Sequence, residues 1–442
     1  TTASNNTAVG YQAGFSNTTG VQLTAVGYHA AYTATTATNI TAIGFEAAAG
    51  ATGSGTVAVG TSAAFVSTGD DNTAMGAAAL LTNSSGANNT AIGRSALRFN
   101  TTASNNTAVG YQSAYSNTTG PNNTSVGYQS LLDNTTGFSL TAIGWGSLAN
   151  NTTGYDSAAV GVAALAANTT GLNNTALGNY SLTANTTANN NTAVGYQALN
   201  ANTTGTPNTA VGQSSLKANT TGGNNTALGQ ASLEDNTTGN YNTAVGRDAL
   251  GTNTTASNNT AVGFQAGYSN TTGPDMTAVG YKALYANTTG ADNVSMGRQA
   301  LQNNTSGSYH IAIGNYALVD NTTADQNTAI GYYALGLNTT GGYNTAVGSQ
   351  ALRYNTGAEN TGVGSLALFS NTTGSFNAAF GREAMRYNTT GGYNVALGFA
   401  ALRGADGAAT ADNNTAVGYG AGYNNTTGSS NTALGRLAME AN

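Results

Sequence analysis

The sequence has no cysteine and only 3 prolines among its 442 residues. Without cysteine there are no disulfide staples and no thiolate metal sites, and the redox compartment stays undetermined. Charged residues make up 6% of the chain, and the net charge of −6 provides neither a basic face for nucleic acid nor a polybasic patch for anionic lipid. No apolar run approaches the roughly 18 residues of a membrane span. We therefore expect no nucleic-acid partner and no membrane insertion.

Residues suited to catalysis or metal binding are equally scarce. The two histidines, His29 and His310, are far apart in the sequence and at different positions of the repeat described below. The acids are scattered, without the paired carboxylates of glycoside hydrolysis. The recurring aspartate of calcium-binding repeats is missing, and no glycine-rich loop precedes a helix pattern. We predict that the protein is not an enzyme and has no catalytic, cofactor-binding or metal-binding residues.

The chain is instead rich in glycine, with 60 residues, and in one repeated motif. The glycine of each Ala-Val-Gly triplet serves as a marker, and 26 marker glycines run from Gly10 to Gly435. Of the 25 intervals, 21 are 17 residues, three are 16 and one, around residues 405–412, is 20. The consensus is Asn-Thr-Ala-Val-Gly-x-x-Ala-Leu-x-x-Asn-Thr-Thr-Gly-x-x, as in residues 191–207. We predict a single continuous array over residues 1–442, as a segment of a longer fibre.

The period and composition predict the fold class. A 17-residue period with β-branched residues, Gly and Asn, and without a 3.6-residue apolar pattern, favours short coiled strands over helices. We therefore predict an all-β, parallel β-solenoid of about 26 turns, with one turn per repeat.

Four positions of the repeat predict what lies inside. The residue before the marker glycine is always apolar, and we expect it to point into the coil: Val9, Val26, Ile43, Met75, Leu177, Phe380 and their equivalents. Two before the glycine the residue is always small, which places it on the other face, close to an identical chain or to another wall of the coil. Four after the glycine, Leu predicts a buried seam. Where Gly or Ala replaces it, an aromatic residue usually follows, which we interpret as compensation for lost volume: Phe15, Tyr32, Phe65, Tyr115, Tyr268, Tyr423.

The polar half of the repeat predicts ladders of stacked side chains. Asn recurs seven residues after the marker glycine and Thr three before it. Like residues stacked at ~4.8 Å can hydrogen-bond along the stack. The same asparagines form Asn-x-Thr/Ser sequons, so a second hypothesis makes them N-glycan acceptors: Asn17, Asn83, Asn117, Asn134, Asn151, Asn168.

Aromatic residues directly after the marker glycine come in consecutive turns and form a candidate contact surface: Tyr11, Tyr28, Phe45, Tyr111, Tyr128, Trp145, Phe264, Tyr281. They could bind a host-surface glycan or protein receptor, or pack against neighbouring chains. The threonines could instead match the ice lattice from a flat face, although we expect the Asn row to interrupt such a face: Thr7, Thr24, Thr41, Thr73, Thr90, Thr107.

The motif Asn-Thr-Ala-Val-Gly-x-x-Ala of residues 191–198 and 242–249 resembles the YadA-type head repeat of trimeric autotransporter adhesins. Residues 327–335 also resemble the related arrays of phage and environmental tail-fibre proteins. The resemblance covers the whole chain. It implies a left-handed parallel β-roll, usually with three chains side by side, that displays or binds at a surface.

The expected function is therefore a rigid structural fibre or adhesin shaft, located outside the cell, on the cell surface or in a virion fibre. The expected partner is the chain itself, as a homotrimer or filament. The alternatives are a self-assembling, N-glycosylated extracellular filament and an ice-binding solenoid.

Overall fold

The computed structural model describes residues 2–405 and 409–440, and within those ranges the protein is all-β with no helix. The predicted parallel β-solenoid with one short strand per repeat is confirmed. The chain forms two compact units, which divide after Gly223. Each unit is a solenoid by itself, and the prediction of one continuous array stays a prediction. The middle of the enlarged interval, residues 406–408, lies outside the described residues.

Thirteen strands, β1–β13, belong to the first unit, and nearly all have three residues. Their bounds are Thr7–Val9, Thr24–Val26, Thr41–Ile43, Val57–Val59, Thr73–Met75, Thr90–Ile92, Thr107–Val109, Thr124–Val126, Thr141–Ile143, Ala158–Val160, Thr175–Leu177, Thr192–Val194 and Asn208–Val211.

The second unit contains β14–β26. Their bounds are Asn225–Leu228, Thr243–Val245, Thr260–Val262, Thr277–Val279, Val294–Met296, Ile311–Ile313, Thr328–Ile330, Thr345–Val347, Thr361–Val363, Ala378–Phe380, Val395–Leu397, Thr415–Val417 and Thr432–Leu434.

Within each unit, every strand pairs in parallel with the strand of the next repeat. In the first unit Thr107 lies beside Thr124, and in the second Thr260 lies beside Thr277. Equivalent residues of successive turns therefore stack at the spacing of ~4.8 Å between strands.

The inner alanine row is the residue two before each marker glycine. Ala108 and Ala142 are completely buried, and Ser125 takes the same place between them. The wall opposite is the inner leucine row: a methyl group added at Gly362 would lie 3.2 Å from Leu352 Cγ. The sequence predicts that the small residues lie close either to an identical chain or to another wall of the same coil. The structure shows the second arrangement.

The residue before the marker glycine faces outward, so the prediction that it points into the coil is wrong. These residues form the outer aliphatic row; Val26 is half-buried, and the others named from the sequence are exposed: Val9, Ile43, Met75, Leu177, Phe380. The interior beneath each strand is too narrow for a side chain larger than alanine or serine. Successive residues of a strand point to opposite faces of the sheet. The larger side chains next to the alanine row therefore lie on the outer face.

The prediction of a buried seam four residues after the glycine is confirmed by the inner leucine row. Leu131, Leu148 and Leu165 are completely buried. The compensating role of the aromatic residues is wrong, because Phe15 is exposed and the others are only half-buried: Tyr32, Phe65, Tyr115, Tyr268, Tyr423.

In some turns, the space left by a small residue in the leucine row is filled from another position. A Cβ at Gly14 would lie 3.0 Å from Leu23 Cδ2, and one at Gly267 would lie 3.0 Å from Met276 Cε. Leu23 and Met276 stand where most turns have an asparagine four before the marker glycine. In these turns, a large apolar side chain at the position four before the glycine fills the volume that the leucine row lacks.

Asparagines fill the other half of the interior. In the first asparagine row, seven after the glycine, Asn134 Nδ2 donates to Asn117 Oδ1 at 2.7 Å and to the Gly137 carbonyl at 2.9 Å. In the second asparagine row, four before the glycine, Asn106 Oδ1 accepts from the Asn123 backbone N–H at 2.9 Å. The predicted ladder of the first asparagine row is confirmed, and its hydrogen bonds satisfy amides that would be unfavourable to bury unpaired. In the second row, Asn106 Nδ2 and Asn259 Nδ2 are buried without a hydrogen-bond partner in the protein.

Candidate interaction surface

Three rows of side chains face outward from the strands and the turn that follows. The outer threonine row, three before the marker glycine, is half-buried in most turns, as at Thr107 and Thr124. The outer aliphatic row lies two residues further along, and the outer aromatic row follows directly after the glycine. Rows two residues apart are separated by about 6.6 Å along a strand. Each unit therefore carries an apolar band beside a line of threonine side chains.

The sequence-predicted contact aromatics are all exposed: Tyr11, Tyr28, Phe45, Tyr111, Tyr128, Trp145, Phe264, Tyr281. All of them except Trp145 stack on a neighbouring ring of this set. The ring centroids are 5.4 Å apart for Tyr11 and Tyr28, and 5.1 Å apart for Tyr28 and Phe45. Tyr111 and Tyr128 stack at 5.2 Å, with 17° between the ring planes.

In the second unit, arginines extend two of these ladders at both ends. Phe264 and Tyr281 stack at 5.6 Å, while the guanidinium of Arg247 lies 5.9 Å from the Phe264 ring and that of Arg298 lies 5.9 Å from the Tyr281 ring. The same order recurs in Arg382, Phe399, Tyr419 and Arg436. These cation–π contacts were missed from the sequence, although the arginines occupy the same position of the repeat as the rings.

Stacking decides which part of each ring a partner can reach. In the Tyr28 ring, both faces are turned toward neighbouring rings, and the edges face solvent. A sugar that stacks on an aromatic ring needs a free ring face, which a ladder offers only at its ends. Contact through ring edges and hydroxyl groups, as in packing between chains, fits the ladders better than sugar stacking.

The hypothesis of N-glycan acceptors in the first asparagine row does not fit the fold. Five of the six candidates are completely buried: Asn83, Asn117, Asn134, Asn151 and Asn168. The sixth, Asn17, is half-buried, and its Nδ2 donates to the Gly20 carbonyl at 3.1 Å. A glycan bonded to Nδ2 would need space that the interior lacks and would disrupt the ladder.

Exposed sequons do occur at another position, five before the marker glycine. Asn88, Asn105 and Asn122 are exposed, and each is the first residue of an Asn-Asn-Thr sequence. Asn105 Nδ2 donates to Asn122 Oδ1 at 3.2 Å. The Asn-Asn-Thr pattern is visible in the sequence, but it is less frequent than the Asn-Thr-Thr pattern on which the glycan hypothesis rests.

His310 is completely buried in the second asparagine row, where it takes the place of an asparagine. Its Nδ1 accepts the backbone N–H of Asn327 at 3.2 Å, its Nε2 lies 3.2 Å from Asn321 Nδ2, and the ring is hydrogen-bonded to the backbone of Ala324. A neutral imidazole with one donor and one acceptor therefore reproduces the bonds of the amide. Burial lowers the pKa of His310 below its usual 6.5, although these hydrogen bonds and the nearby Asp325 carboxylate act in the opposite direction.

We expect this histidine to make the second unit sensitive to acid. Below pH 6.5 the unfolded chain takes up a proton that folded His310 does not, so the free energy of unfolding falls. The loss is at most about 1.4 kcal/mol per pH unit and stops at the lowered pKa of the folded state. Denaturant unfolding at a series of pH values measures it.

The control is His310→Asn, which restores the residue that most turns have at this position. The variant should unfold like the wild type at pH 8 and lack the wild-type decline between pH 6.5 and pH 5. An unchanged decline in the variant would show that another group is responsible.

The strongest ion cluster surrounds Glu383 in the second unit. Its carboxylate accepts from Arg403 Nε at 3.1 Å and pairs with Arg386 at 3.3 Å. Burial raises the pKa of Glu383, but the two arginines outweigh it and hold the pKa below its usual value. The Arg403 guanidinium also lies between the Tyr387 and Tyr423 rings, at 4.7 and 5.2 Å. The carboxylate is thus fully engaged in joining neighbouring turns.

Within residues 2–405 and 409–440, no group of three or more His, Asp or Glu side chains is placed to hold a metal ion. The same residues include no helix of the length and apolarity needed to cross a membrane. No family model matches the chain, and no curated protein matches it.

Proposed function

We propose that this protein is a structural fibre segment whose copies pack side by side through their outward strand faces. The observation that carries the proposal is the outer aliphatic row, whose side chains are exposed or half-buried in successive turns of both units. Large contiguous apolar patches on a soluble protein are typical of interaction sites. The resemblance to adhesin head repeats and tail-fibre arrays supports three chains as the arrangement and display or attachment outside the cell as the role.

The size of the surface is sufficient for stable association. Thirteen strands of the first unit, at ~4.8 Å spacing, extend for about 60 Å. The three outward rows add a width of about 13 Å, so the face covers on the order of 800 Å². A standard protein interface buries about 800 Å² on each partner. One unit therefore supplies enough surface for a specific contact between copies.

Native mass measurement of the full chain tests this proposal. We expect a trimer or higher assembly at micromolar concentration. The double variant Val126→Lys and Ile143→Lys places two charges on adjacent turns of the aliphatic row, and desolvating them in an interface is unfavourable. It should shift the mass toward the 43.8 kDa monomer without changing the far-ultraviolet circular dichroism.

A matched control is Asn150→Lys, which alters an exposed residue of the same turn outside the three rows. Its mass should remain that of the wild type. A monomeric wild type, or equal dissociation of both variants, would contradict packing through the strand face.

Ice binding is a second candidate, favoured by one specific observation. The asparagine rows, which we expected to interrupt a threonine face, are inside the coil. The outer threonine row consequently lies directly beside the aliphatic row. Hydroxyl and methyl groups then repeat at about 4.8 Å along the stack and 6.6 Å across it.

Inhibition of ice recrystallisation by the purified protein tests this candidate. The variant Thr107→Tyr and Thr124→Tyr should abolish any such activity, because two bulky side chains break the flatness of the face. Unaltered ice growth in the presence of the wild-type protein would exclude the candidate and leave the fibre proposal untouched.

A further inference from the structure

Tyrosines at equivalent positions of adjacent turns form parallel stacks. Four Tyr–Tyr pairs among the described residues have nearly parallel rings: Tyr11–Tyr28, Tyr111–Tyr128, Tyr268–Tyr285 and Tyr316–Tyr333. Their centroid distances lie between 4.7 and 5.5 Å. Tyr111 and Tyr128 are both exposed and reach solvent from neighbouring strands.

We propose that these stacked pairs are sites of oxidative crosslinking, at which dityrosine bonds staple adjacent turns of the solenoid. The geometry provides the proximity that radical coupling requires. When two equivalent rings are nearly parallel, equivalent ring carbons are separated by about the centroid distance, 5.2 Å for Tyr111 and Tyr128. The Tyr111 and Tyr128 rings are exposed, so they can rotate together to close this gap without disturbing the interior.

The oxidant is hydrogen peroxide acting through a peroxidase. Each phenol loses one electron and one proton, which yields two tyrosyl radicals and reduces one peroxide molecule to two water molecules. The radicals couple through the ring carbons ortho to oxygen and form one carbon–carbon bond. The hydrogens on those carbons move to the phenol oxygens, which restores both aromatic rings. The protein therefore loses two hydrogen atoms per staple.

Such a crosslink would stabilise the protein by restricting the unfolded chain. Tyr111 and Tyr128 are 17 residues apart, so their bond closes one turn of the solenoid covalently. Closing a loop removes conformational freedom from the unfolded chain, as a disulfide does. A chain without cysteine would gain covalent crosslinks from its tyrosines.

The chain contains its own controls for this chemistry. Tyr180 and Tyr196 are close, at 6.1 Å, but their rings meet edge to face at 85°. Phe264–Tyr281 stacks at 5.6 Å but has only one phenol. Crosslinking that depends on stacked phenols should spare both pairs.

The experiment treats the full-length protein, diluted until its native mass is that of the 43.8 kDa monomer, with peroxidase and hydrogen peroxide. Peptide mass mapping and dityrosine fluorescence follow. We expect crosslinked peptides joining residues 11 to 28 and 111 to 128 within one chain. The variant Tyr128→Phe, which keeps the stack, should lose the second crosslink and retain the first. The variant Tyr196→Phe should change neither.

Three results would overturn the proposal. The first is an absence of crosslinks under conditions that couple free tyrosine. The second is crosslinking of Tyr180 to Tyr196 at the level of the stacked pairs, which would show that proximity alone is sufficient. The third is persistence of the 111–128 peptide mass in Tyr128→Phe.

Discussion

Substitution of a marker glycine by alanine is expected to be among the most destabilising single changes, and Gly110→Ala shows why. Gly110 has a φ of +135°, a region that residues with a side chain rarely adopt. A Cβ there would lie 2.3 Å from the carbonyl oxygen of Gly127 and 2.7 Å from its carbon. Both atoms belong to the backbone of the next turn, so the two turns would have to separate.

We expect Gly110→Ala to reduce the free energy of unfolding of the first unit by about 3 kcal/mol or more, from backbone strain together with lost strand pairing. The damage should be greatest near the substituted turn, because each turn contacts mainly its neighbours. Guanidinium denaturation measures the loss. Hydrogen exchange should show the fastest amides around β7 and β8.

The matched control is Gly146→Ala, two residues after a marker glycine. Gly146 has a φ of +62°, and an added Cβ would meet nothing within 4 Å. Gln129 and Ala163 occupy the same position in the neighbouring turns with φ values of 51° and 52°. We expect a change below about 1 kcal/mol. Equal losses in the two variants would contradict a special requirement at the marker position.

The sequence predicts the repeat, the fold class and the inner leucine row, because these depend on periodicity and on the absence of a helical pattern. It misassigns the two faces of the strand, because the apolar character of a side chain does not by itself indicate burial. Side-chain size was the better sign. The position of Ala108 and Ser125 accepts only small residues, whereas that of Val109 also accepts Met75 and Phe380. A narrow interior limits the volume of a side chain, whereas a side chain on the outer face can be larger.

The candidate surface is predictable only in part, because the polarity of a residue does not by itself reveal whether it is exposed. Their positions in the repeat predict that Tyr11 and Tyr28 lie on adjacent turns. In the structure the two rings are exposed and stacked. Burial of the asparagines is not evident from their polarity, since Asn is usually exposed. It depends on a network in which Asn117, Asn134 and Asn151 satisfy one another, and a single residue gives no sign of such a network.

That network makes Asn134→Asp the second substitution with a large expected effect. Asn134 is completely buried, donates through Nδ2 to Asn117 Oδ1 and to the Gly137 carbonyl, and accepts from Asn151 Nδ2 at 2.8 Å. A carboxylate of the same shape keeps the acceptor but replaces two donated hydrogen bonds with contacts between oxygens. At neutral pH we expect a loss of about 3–5 kcal/mol in the free energy of unfolding, as for an uncompensated buried charge.

The pH dependence of the stability of Asn134→Asp distinguishes the effect of the buried charge from the effect of the lost hydrogen bonds. Burial raises the pKa of the new carboxyl in the folded state above the roughly 3.9 of an unfolded aspartate. The unfolded chain therefore releases its proton first, and the variant loses stability as the pH rises through this interval. Below both pKa values, the neutral acid donates one hydrogen bond where asparagine donated two. Relative to the wild type, the variant should thus recover most but not all of its stability at pH 3.

Asn122→Asp provides the comparison in the same unit. Asn122 is exposed and accepts from Asn105 Nδ2 at 3.2 Å, a bond that a carboxylate retains. Other turns already have aspartate at this position, including Asp156, Asp275 and Asp292. We expect a change within about 0.5 kcal/mol at all pH values. If Asn134→Asp were equally mild, the donated hydrogen bonds of the asparagine row would be dispensable. Equal destabilisation of Asn134→Asp at pH 3 and pH 7 would show that a buried charge is not the cause of the loss.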